Sequence, residues 1–165
     1  MNNLSFHITD ITANSIRANA SEIGLSVEEQ DTRIVIRITD NGLGMDAETA
    51  RRVTNPFYTT RTTRKVGLGL PFLIQNAEQT GGSVTLTSEP GKGTEVRAVF
   101  HSDHIDCPPW GDLPGTVALL ITGNPEINVC FEYRSGETGY SISTNEIKEI
   151  LDGVPLSHQI GRAHV

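Results

Sequence analysis

Four short segments of this chain alternate apolar and polar residues, and this pattern narrows the possible folds more than any other. A period of two predicts strands that bury one face and leave the other face in contact with water. A doubly wound parallel sheet would instead show continuous apolar runs, because both of its faces are covered. We therefore predict a two-layer α/β sandwich with helices on one face of the sheet. The apolar positions of the predicted strands are Ile23, Leu25 and Val27; Ile34, Ile36 and Ile38; Val84 and Leu86; and Val96, Ala98 and Phe100.

Helices are predicted between these strands. Apolar residues at intervals of three and four predict a helix over residues 3–20 and another that opens near Gly67 and ends at Gly81-Gly82. A shorter helix is predicted from about Asp46, as its N-cap, to Val53. Residues 54–66 show no periodicity and predict a long loop, and loops of this length in compact domains are usually functional.

A change of composition follows Asp103, at the string CPPWG. Beyond it the pattern predicts a small α+β extension, helix–strand–strand–helix, over residues 104–159. Asp112 is predicted to start its first helix, Gly136 to turn its hairpin, and Ser143 to cap its last helix. We therefore divide the chain into residues 1–103, residues 104–159, and residues 160–165, which continue no pattern and are interpreted as a non-native tail.

Charge and composition exclude several classes of function. The 165 residues carry a net charge of −7, which disfavours binding to nucleic acid because phosphate contacts need a clustered basic surface. No apolar run approaches the ~20 residues of a membrane helix, so we expect no membrane partner. The two cysteines, Cys107 and Cys130, form no CxxC motif, so we expect a cytoplasmic protein without a disulfide framework or zinc site.

Asp10 and Asn14 stand four residues apart on the first predicted helix, which places both side chains on one helix face. An amide oxygen is a suitable hard ligand for Mg²⁺, and a carboxylate can orient or deprotonate a nucleophile. The same spacing also fits an ordinary solvated polar face.

Three glycine-containing segments follow in order. Asp40 ends a predicted strand, where its carboxylate could accept a hydrogen bond from an exocyclic amine, and Gly42 and Gly44 would let backbone approach a flat ring closely. Gly67-Leu68-Gly69 opens a helix, whose N-terminus attracts anions such as a triphosphate. The string GKGT ending at Thr94 could close the far side of a nucleotide pocket. Each segment alone also fits a simple turn.

Together these segments resemble the GHKL superfamily of ATPases, which includes sensor histidine kinases, type II topoisomerases and anti-sigma serine kinases. DITAN, DNGLGM, GLGL and GKGT resemble the N, G1, G2 and last glycine boxes, and NPFYTTR resembles the F box of one histidine kinase type, all in family order. The resemblance implies a Bergerat ATP-binding fold, with a mixed sheet and helices on one face.

The resemblance also implies roles for individual residues. Asn14 would hold Mg²⁺, Asp40 would bind the adenine amine beside Gly42 and Gly44, and Thr94 would support the adenine. Residues 55–66 would form a lid over ATP. The remaining ATP-binding positions implied for the lid and the helix after it are Thr60, Arg61, Lys65, Gly67, Leu68 and Gly69, with Arg64 as a further cation.

The chain departs from these relatives at position 10. The family's hydrolases and serine kinases carry Glu where Asp10 stands, and Asp is one methylene shorter. His7 is the histidine nearest the N box, and we interpret it as a packing or surface residue rather than a phospho-acceptor. With its C-terminal extension, the layout also resembles stand-alone ATP-binding proteins encoded beside iron-only hydrogenases in anaerobic bacteria.

Two functions of different class fit these observations. The first is a regulatory kinase that transfers the γ-phosphate of Mg-ATP to a partner protein, with Asp10 as the catalytic carboxylate and slow intrinsic hydrolysis at most. The second is a non-catalytic, ATP-responsive switch that recruits its partner through residues 104–159. Substituting Asp10 separates the two, because only the first needs its carboxylate.

Overall fold

The structure is a computed structural model that describes residues 3–54 and 69–150. Five helices and six strands are present in these ranges. The helices are α1 (Leu4–Arg17), α2 (Ala47–Thr54), α3 (Gly69–Gln79), α4 (Leu113–Gly123) and α5 (Thr144–Ile150). The strands are β1 (Glu22–Gln30), β2 (Arg33–Asp40), β3 (Ser83–Glu89), β4 (Gly93–His101), β5 (Asn128–Ser135) and β6 (Thr138–Ser143).

All six strands belong to one mixed sheet in the order β3-β4-β2-β1-β5-β6. Neighbouring strands are antiparallel except β1 and β5, which are parallel. The predicted apolar positions of β1, β2 and β4 are all buried, whereas Val84 and Leu86 on the edge strand β3 are partly buried. The predicted two-layer sandwich is confirmed.

The helix caps form at the residues that the sequence predicts. Asp46 accepts a hydrogen bond from the backbone N–H of Thr49 and so caps α2, and Ser143 caps α5 through the N–H of Glu146. Asp112 caps α4 in the same way. The first helix ends at Arg17, three residues before the predicted end, because the chain turns at Asn19, where φ is +62°.

The CPPWG segment contacts the N-terminus of α1, where Asn3 is the N-cap. The backbone N–H groups of Leu4 and Ser5 donate to the carbonyl oxygens of Pro109 and Trp110, at 2.8 and 3.0 Å. These two N–H groups have no partner within the helix, so a distant part of the chain satisfies them. The composition break is thus a structural contact with α1 rather than a free linker.

The described part of residues 104–159 packs on the sandwich, as expected of a unit too small to bury its own apolar residues. Strand β5 pairs with β1, and Leu113, Val117 and Val129 join the same buried core as α1. Both parts of the chain therefore share one sheet and one core, and the boundary at 103/104 stays a prediction. None of the five helices in the described ranges has the length and hydrophobicity of a transmembrane span.

Candidate functional site

A cavity of about 320 Å³ opens between α1, the C-terminal end of β2, the loop after it, and β4. Its walls are mainly aliphatic, with a few polar groups at one end, which is the usual composition of a site for a flat organic ligand. The residues around it are Ile11, Asn14, Ser15, Arg17, Ala18, Ile38, Asp40, Leu43, Gly44, Met45, Thr49, Val53, Leu70, Thr94 and Val96.

Asp40 is held firmly at the polar end of this cavity. Ser15 Oγ donates to Asp40 Oδ2 at 2.6 Å, and the backbone N–H of Gly42 donates to Asp40 Oδ1 at 2.9 Å. Because each carboxylate oxygen has two lone pairs, both retain capacity for a further donor. The arrangement fixes a hydrogen-bond acceptor against an apolar wall, as the adenine hypothesis requires.

Two glycines allow the loop after β2 to lie directly on the β3–β4 turn. Gly44 has φ +72°, and a Cβ there would lie 1.9 Å from the carbonyl oxygen of Glu89. Gly93 has φ +123°, and a Cβ there would lie 1.9 Å from the carbonyl oxygen of Asp40. The N–H of Gly91 also donates to the carbonyl oxygen of Leu43, at 2.7 Å. The two glycine boxes therefore form one unit in which backbone packs on backbone.

Gly42, whose role beside the adenine stays a prediction, packs on the end of α1. It is buried behind the cavity wall, and a Cβ on it would lie 2.6 Å from the carbonyl oxygen of Ala18. The next N–H, that of Leu43, donates to the same oxygen at 2.9 Å. Gly42 thus joins the loop to the end of α1, and Gly44 alone of the two lines the cavity.

Thr94 lines the cavity beside Asp40. The two residues are register partners on β4 and β2. Thr94 Oγ1 lies 2.8 Å from Ser88 Oγ, which also accepts the N–H of Met45 at 2.8 Å. Ser88 therefore ties Thr94 to the loop that carries Gly44, a contact that the sequence alone did not predict.

Asn14 and Asp10 share the same side of α1 but have different surroundings. Asn14 lines the cavity, and its Oδ1 accepts from Arg17 Nη2 at 2.6 Å. Asp10 lies instead against Gly69 at the start of α3, where a Cβ on Gly69 would be 2.9 Å from Asp10 Cβ. Burial raises the pKa of Asp10, and the charge of Arg17 lowers it by a smaller amount.

The side-chain amide oxygen of Asn14 is of the type that Mg²⁺ takes as a ligand. Mg²⁺ keeps several waters and is usually held by one or two protein oxygens together with substrate phosphates. One amide oxygen at the cavity wall matches that donor set. In the described ranges, no group of three or more His, Cys, Asp or Glu could hold a metal ion by itself.

Several predicted site residues lie outside the described ranges. These are Thr60, Arg61, Lys65, Gly67 and Leu68, together with the rest of residues 55–66. Their proposed contacts with phosphate stay predictions.

Sequence reasoning missed three side chains of this site. Ser15 orients Asp40, Arg17 supplies a cation beside Asn14, and Met45 lies on the cavity wall. Ser15 and Arg17 directly follow the N box, so their proximity to Asn14 was a usable signal. Their contacts depend on how α1 is rotated against β2, which no local pattern states.

His7 is a packing residue, as predicted. It is buried against Phe72 and Phe100, and Asn76 Nδ2 lies 2.7 Å from His7 Nε2. Desolvation lowers the pKa of His7 to about 4, so the ring is neutral at pH 7. Because the ring is enclosed, its nitrogens cannot reach the γ-phosphorus of a bound nucleotide, so His7 is not placed as a phospho-acceptor.

Comparison with known proteins places this geometry in a family. Residues 3–104 match the family described as histidine kinase-, DNA gyrase B-, and HSP90-like ATPase. The chain is 29% identical over 104 residues to the sensor histidine kinase YxdK of Bacillus subtilis, covering 59% of this chain and 32% of that protein. It is 34% identical over 91 residues to the sensor kinase CckA of Brucella abortus, covering 54% of this chain and 10% of that protein.

These curated relatives are much longer than the segments they share with this chain. Among solved structures, the ADP-bound ATPase domain of MutL from Aquifex aeolicus superposes with a TM-score of 0.53 at 17% identity, over 93% of this chain and 68% of that one. This likeness confirms the predicted Bergerat-type fold. The chain therefore belongs to the histidine kinase-, DNA gyrase B- and HSP90-like ATPase family and contains a histidine kinase-like ATP-binding domain.

Proposed function

We propose that this protein binds Mg-ATP in the cavity beside Asp40 and transfers the γ-phosphate to a partner protein. The observation that carries the proposal is the joint geometry of Asp40, Gly44 and Thr94. A fixed carboxylate, a closely approached backbone and a hydroxyl meet at one end of an aliphatic cavity.

The adenine ring would occupy the aliphatic part of the cavity. Its exocyclic amine would donate to the Asp40 carboxylate, which Ser15 and the Gly42 N–H already orient. Ile38, Met45 and Val96 would contact the faces of the ring. Guanine carries a carbonyl oxygen where adenine carries the amine, so the carboxylate would disfavour it.

The phosphates would extend from the cavity towards Asn14 and Arg17. When bound, Mg²⁺ would neutralise charge on the phosphate oxygens, and the Asn14 amide oxygen would supply one of its ligands. Arg17 donates to that oxygen in the structure, so its guanidinium would have to leave Asn14 and could then meet a phosphate. Together with the cations of residues 55–66, it would offset the net charge of −7.

Asp10 would act on the partner's nucleophile. A hydroxyl oxygen or an imidazole nitrogen of the acceptor would attack the γ-phosphorus. The bond from that phosphorus to the β,γ-bridging oxygen would break, and ADP would leave. The acceptor's proton would go to the Asp10 carboxylate. Partial burial, which raises the pKa of Asp10, suits a proton-accepting role.

The test is transfer of label from γ-labelled ATP to candidate partner proteins, with Asp10→Asn as the variant. Asp10→Asn should abolish transfer and leave ATP binding within about twofold, because Asp10 does not line the adenine cavity. Loss of ATP binding in this variant would contradict the assigned role. A chromosomal neighbour would be a suitable first candidate, in keeping with the predicted link to iron-only hydrogenase genes.

The second candidate is the ATP-responsive switch without phosphotransfer. The observation that favours it is the length of the carboxylate side chain at position 10, since Asp is one methylene shorter than the Glu of the family's hydrolases and serine kinases. In that case Asp10→Asn should change neither nucleotide nor partner binding.

A further inference from the structure

The two edge strands of the sheet are covered to different extents. Both α2 and α3 contact β3 at one edge. At the other edge α5 contacts β6, yet Tyr140 and Ile142 on that strand remain 58% and 36% exposed. Within residues 3–54 and 69–150, no strand pairs with the outer side of β6. A free edge of this kind is a template for an added strand.

The sequence of β6 carries none of the usual protections of an edge. It reads TGYSIS, without a proline or a charged side chain. Edge strands that stay unpaired in solution commonly carry lysine, proline or a bulge. The composition of β6 therefore favours pairing with a further strand.

The register of the β5–β6 hairpin shows which backbone groups are free. Ser135 and Thr138 are partners across a two-residue loop, and the positive φ of Gly136 with a non-positive φ at Glu137 fits a type II′ turn. The residues next to such a loop form a hydrogen-bonded pair, and these pairs recur at every second residue. Tyr140 therefore bonds to β5, while the N–H and C=O of Ser141 and its alternate neighbour Gly139 point outwards.

On the side of the sheet that faces the helices, β6 presents apolar groups. Tyr140 and Ile142 lie opposite Tyr133 and Phe131 on β5. The Tyr140 ring contacts both aromatic neighbours, with centroid distances of 5.9 Å to Phe131 and 5.6 Å to Tyr133. A strand added to β6 would bring every second side chain next to Tyr140 and Ile142, so those side chains should be apolar.

On the opposite face of the sheet, the same edge is acidic. Ser141 lies opposite Glu132, and both residues line a groove of about 480 Å³ with Glu146 from the start of α5. Both carboxylates are exposed, and neither adjoins a close cation on β6 itself. Side chains that an added strand directs towards this face should therefore be basic.

The cations near the groove are engaged or distant. Arg37 lines the groove, but its Nε donates to Glu95 at 3.0 Å. Arg134 Nη2 lies 4.0 Å from Glu132 Oε2, at the limit of an ion pair. The edge thus keeps an excess of negative charge, in line with the net charge of the chain. A second copy would bring the same carboxylates to the interface, which disfavours a homodimer here.

We propose that the outer edge of β6 binds an extended segment of a partner protein, in which apolar and basic residues alternate, as a seventh strand of the sheet. Main-chain hydrogen bonds to Gly139 and Ser141 supply affinity, while Tyr140 and Ile142 on one face and Glu132 and Glu146 on the other supply specificity. This goes beyond the proposed kinase activity and rests only on one idea of the second candidate function, that residues 104–159 recruit a partner.

The probe is a fluorescein-labelled synthetic peptide of about seven residues in which valine alternates with lysine. Anisotropy with the full chain should show saturable binding, at least about tenfold tighter than for the matched peptide that alternates valine with glutamate. A peptide of the same composition, with its valines in one block and its lysines in another, should also bind about tenfold more weakly. It cannot direct all its valines to the apolar face of β6 and all its lysines to the acidic face. Equal binding of all three peptides overturns the proposal.

Two variants test the edge itself. Ser141→Pro removes an outward N–H without removing a bond to β5, and should weaken peptide binding by about tenfold or more. Ser141→Ala keeps that N–H and should bind within about twofold of the original chain. The double variant Glu132→Gln, Glu146→Gln should reduce the preference for lysine over glutamate to about threefold or less.

Amide hydrogen exchange on the unmodified chain keeps the test independent of how Ser141→Pro folds. The peptide should slow exchange at the N–H groups of Gly139 and Ser141. Unchanged exchange at both groups, at a peptide concentration that saturates the anisotropy signal, overturns the proposal. ATP binding is measured in parallel, so that loss of peptide binding with intact ATP binding rejects the β6 edge and leaves the nucleotide site standing.

Discussion

The cavity and the C-terminal hairpin are built by different kinds of contact. Around the cavity, backbone lies on backbone, and Gly44 and Gly93 leave no room for even a Cβ. The hairpin β5–β6 is attached instead through a parallel pairing with β1 and through the Tyr133 hydroxyl, which donates to Glu29. The first kind of contact positions a ligand site closely, whereas the second kind tolerates changes of side chain and leaves an edge open.

Glu29 on β1 links to the C-terminal part of the chain through two side-chain hydrogen bonds. Its Oε1 accepts from Trp110 Nε1 at 3.0 Å, and its Oε2 accepts from the Tyr133 hydroxyl. The hydrogen bond to Glu29 is the largest of the effects that raise the pKa of Tyr133. One carboxylate on β1 thereby holds both the CPPWG segment and β5.

The largest loss of stability expected from this contrast follows a substitution at Gly93. Gly93→Ala should lower the free energy of unfolding by about 3 to 5 kcal/mol, because the methyl group would overlap the Asp40 carbonyl and the residue keeps a positive φ. Urea unfolding measures the change. The matched control is Gly91→Ala, where φ is +78° but nothing lies within 4 Å of the added methyl, with an expected loss of about 1 to 2 kcal/mol. Equal losses would mean that the close approach contributes nothing.

The second expected effect is a pH dependence of stability that comes from a histidine buried in the core. The folded-state pKa of His7, about 4, is below its unfolded value of 6.5, so stability is fully present above pH 6.5 and is lost as the pH falls towards 4. We expect a loss of about 2 to 3 kcal/mol across this window. The free energy of unfolding, measured at pH 7 and 4.5 for the original chain and for His7→Gln, gives the share of the pH dependence that is due to His7.

The physical cause of this pH dependence is enclosure. Among the described residues, none pairs with His7 Nδ1, and a protonated ring would also meet the Asn76 amide that faces Nε2. His101→Gln, at a partly exposed position, is the control for replacing a histidine by glutamine outside this enclosure. A His7→Gln chain that loses stability as steeply as the original would contradict the assignment.

The smallest loss of stability is expected for the hydrogen bond that joins the CPPWG segment to Glu29 on β1. Trp110→Phe keeps the apolar ring but removes the N–H that donates to Glu29, and should cost about 1 to 2 kcal/mol. Tyr140→Phe, on an exposed ring, should cost less than about 0.5 kcal/mol. A Trp110→Phe chain as stable as the original would show that the hydrogen bond from Trp110 to Glu29 contributes nothing to stability.

The same contrast explains what could be predicted from the sequence. The alternation in β1, β2 and β4 and the caps at Asp46, Asp112 and Ser143 are local signals, and the structure follows them. The glycine boxes could be recognised because close backbone contact requires glycine at fixed positions. These signals placed Asp40, Gly44 and Thr94 around one cavity.

Other features could not be predicted from local patterns. Nothing in the alternation of β5 states that it pairs with β1 in parallel, since the partner of a strand is set by contacts distant in sequence. The position of Gly42 behind the wall and the contact between Arg17 and Asn14 depend on the rotation of α1. Asn76 breaks the apolar stripe of α3 because it faces His7, a pairing visible only once the helices are packed.

The most direct test of the proposed nucleotide site is calorimetric titration with ATP and GTP, with and without Mg²⁺, on the chain and two variants. The original chain should bind ATP at least about tenfold more tightly than GTP, and more tightly with Mg²⁺ than without. Asn14→Ala should lose the Mg²⁺-dependent part of the affinity, and Asp40→Ala should lose the preference for adenine. Both variants must unfold cooperatively in urea, because Asp40 also bonds Ser15 and Gly42. Full ATP affinity and full Mg²⁺ dependence in both variants would contradict the account.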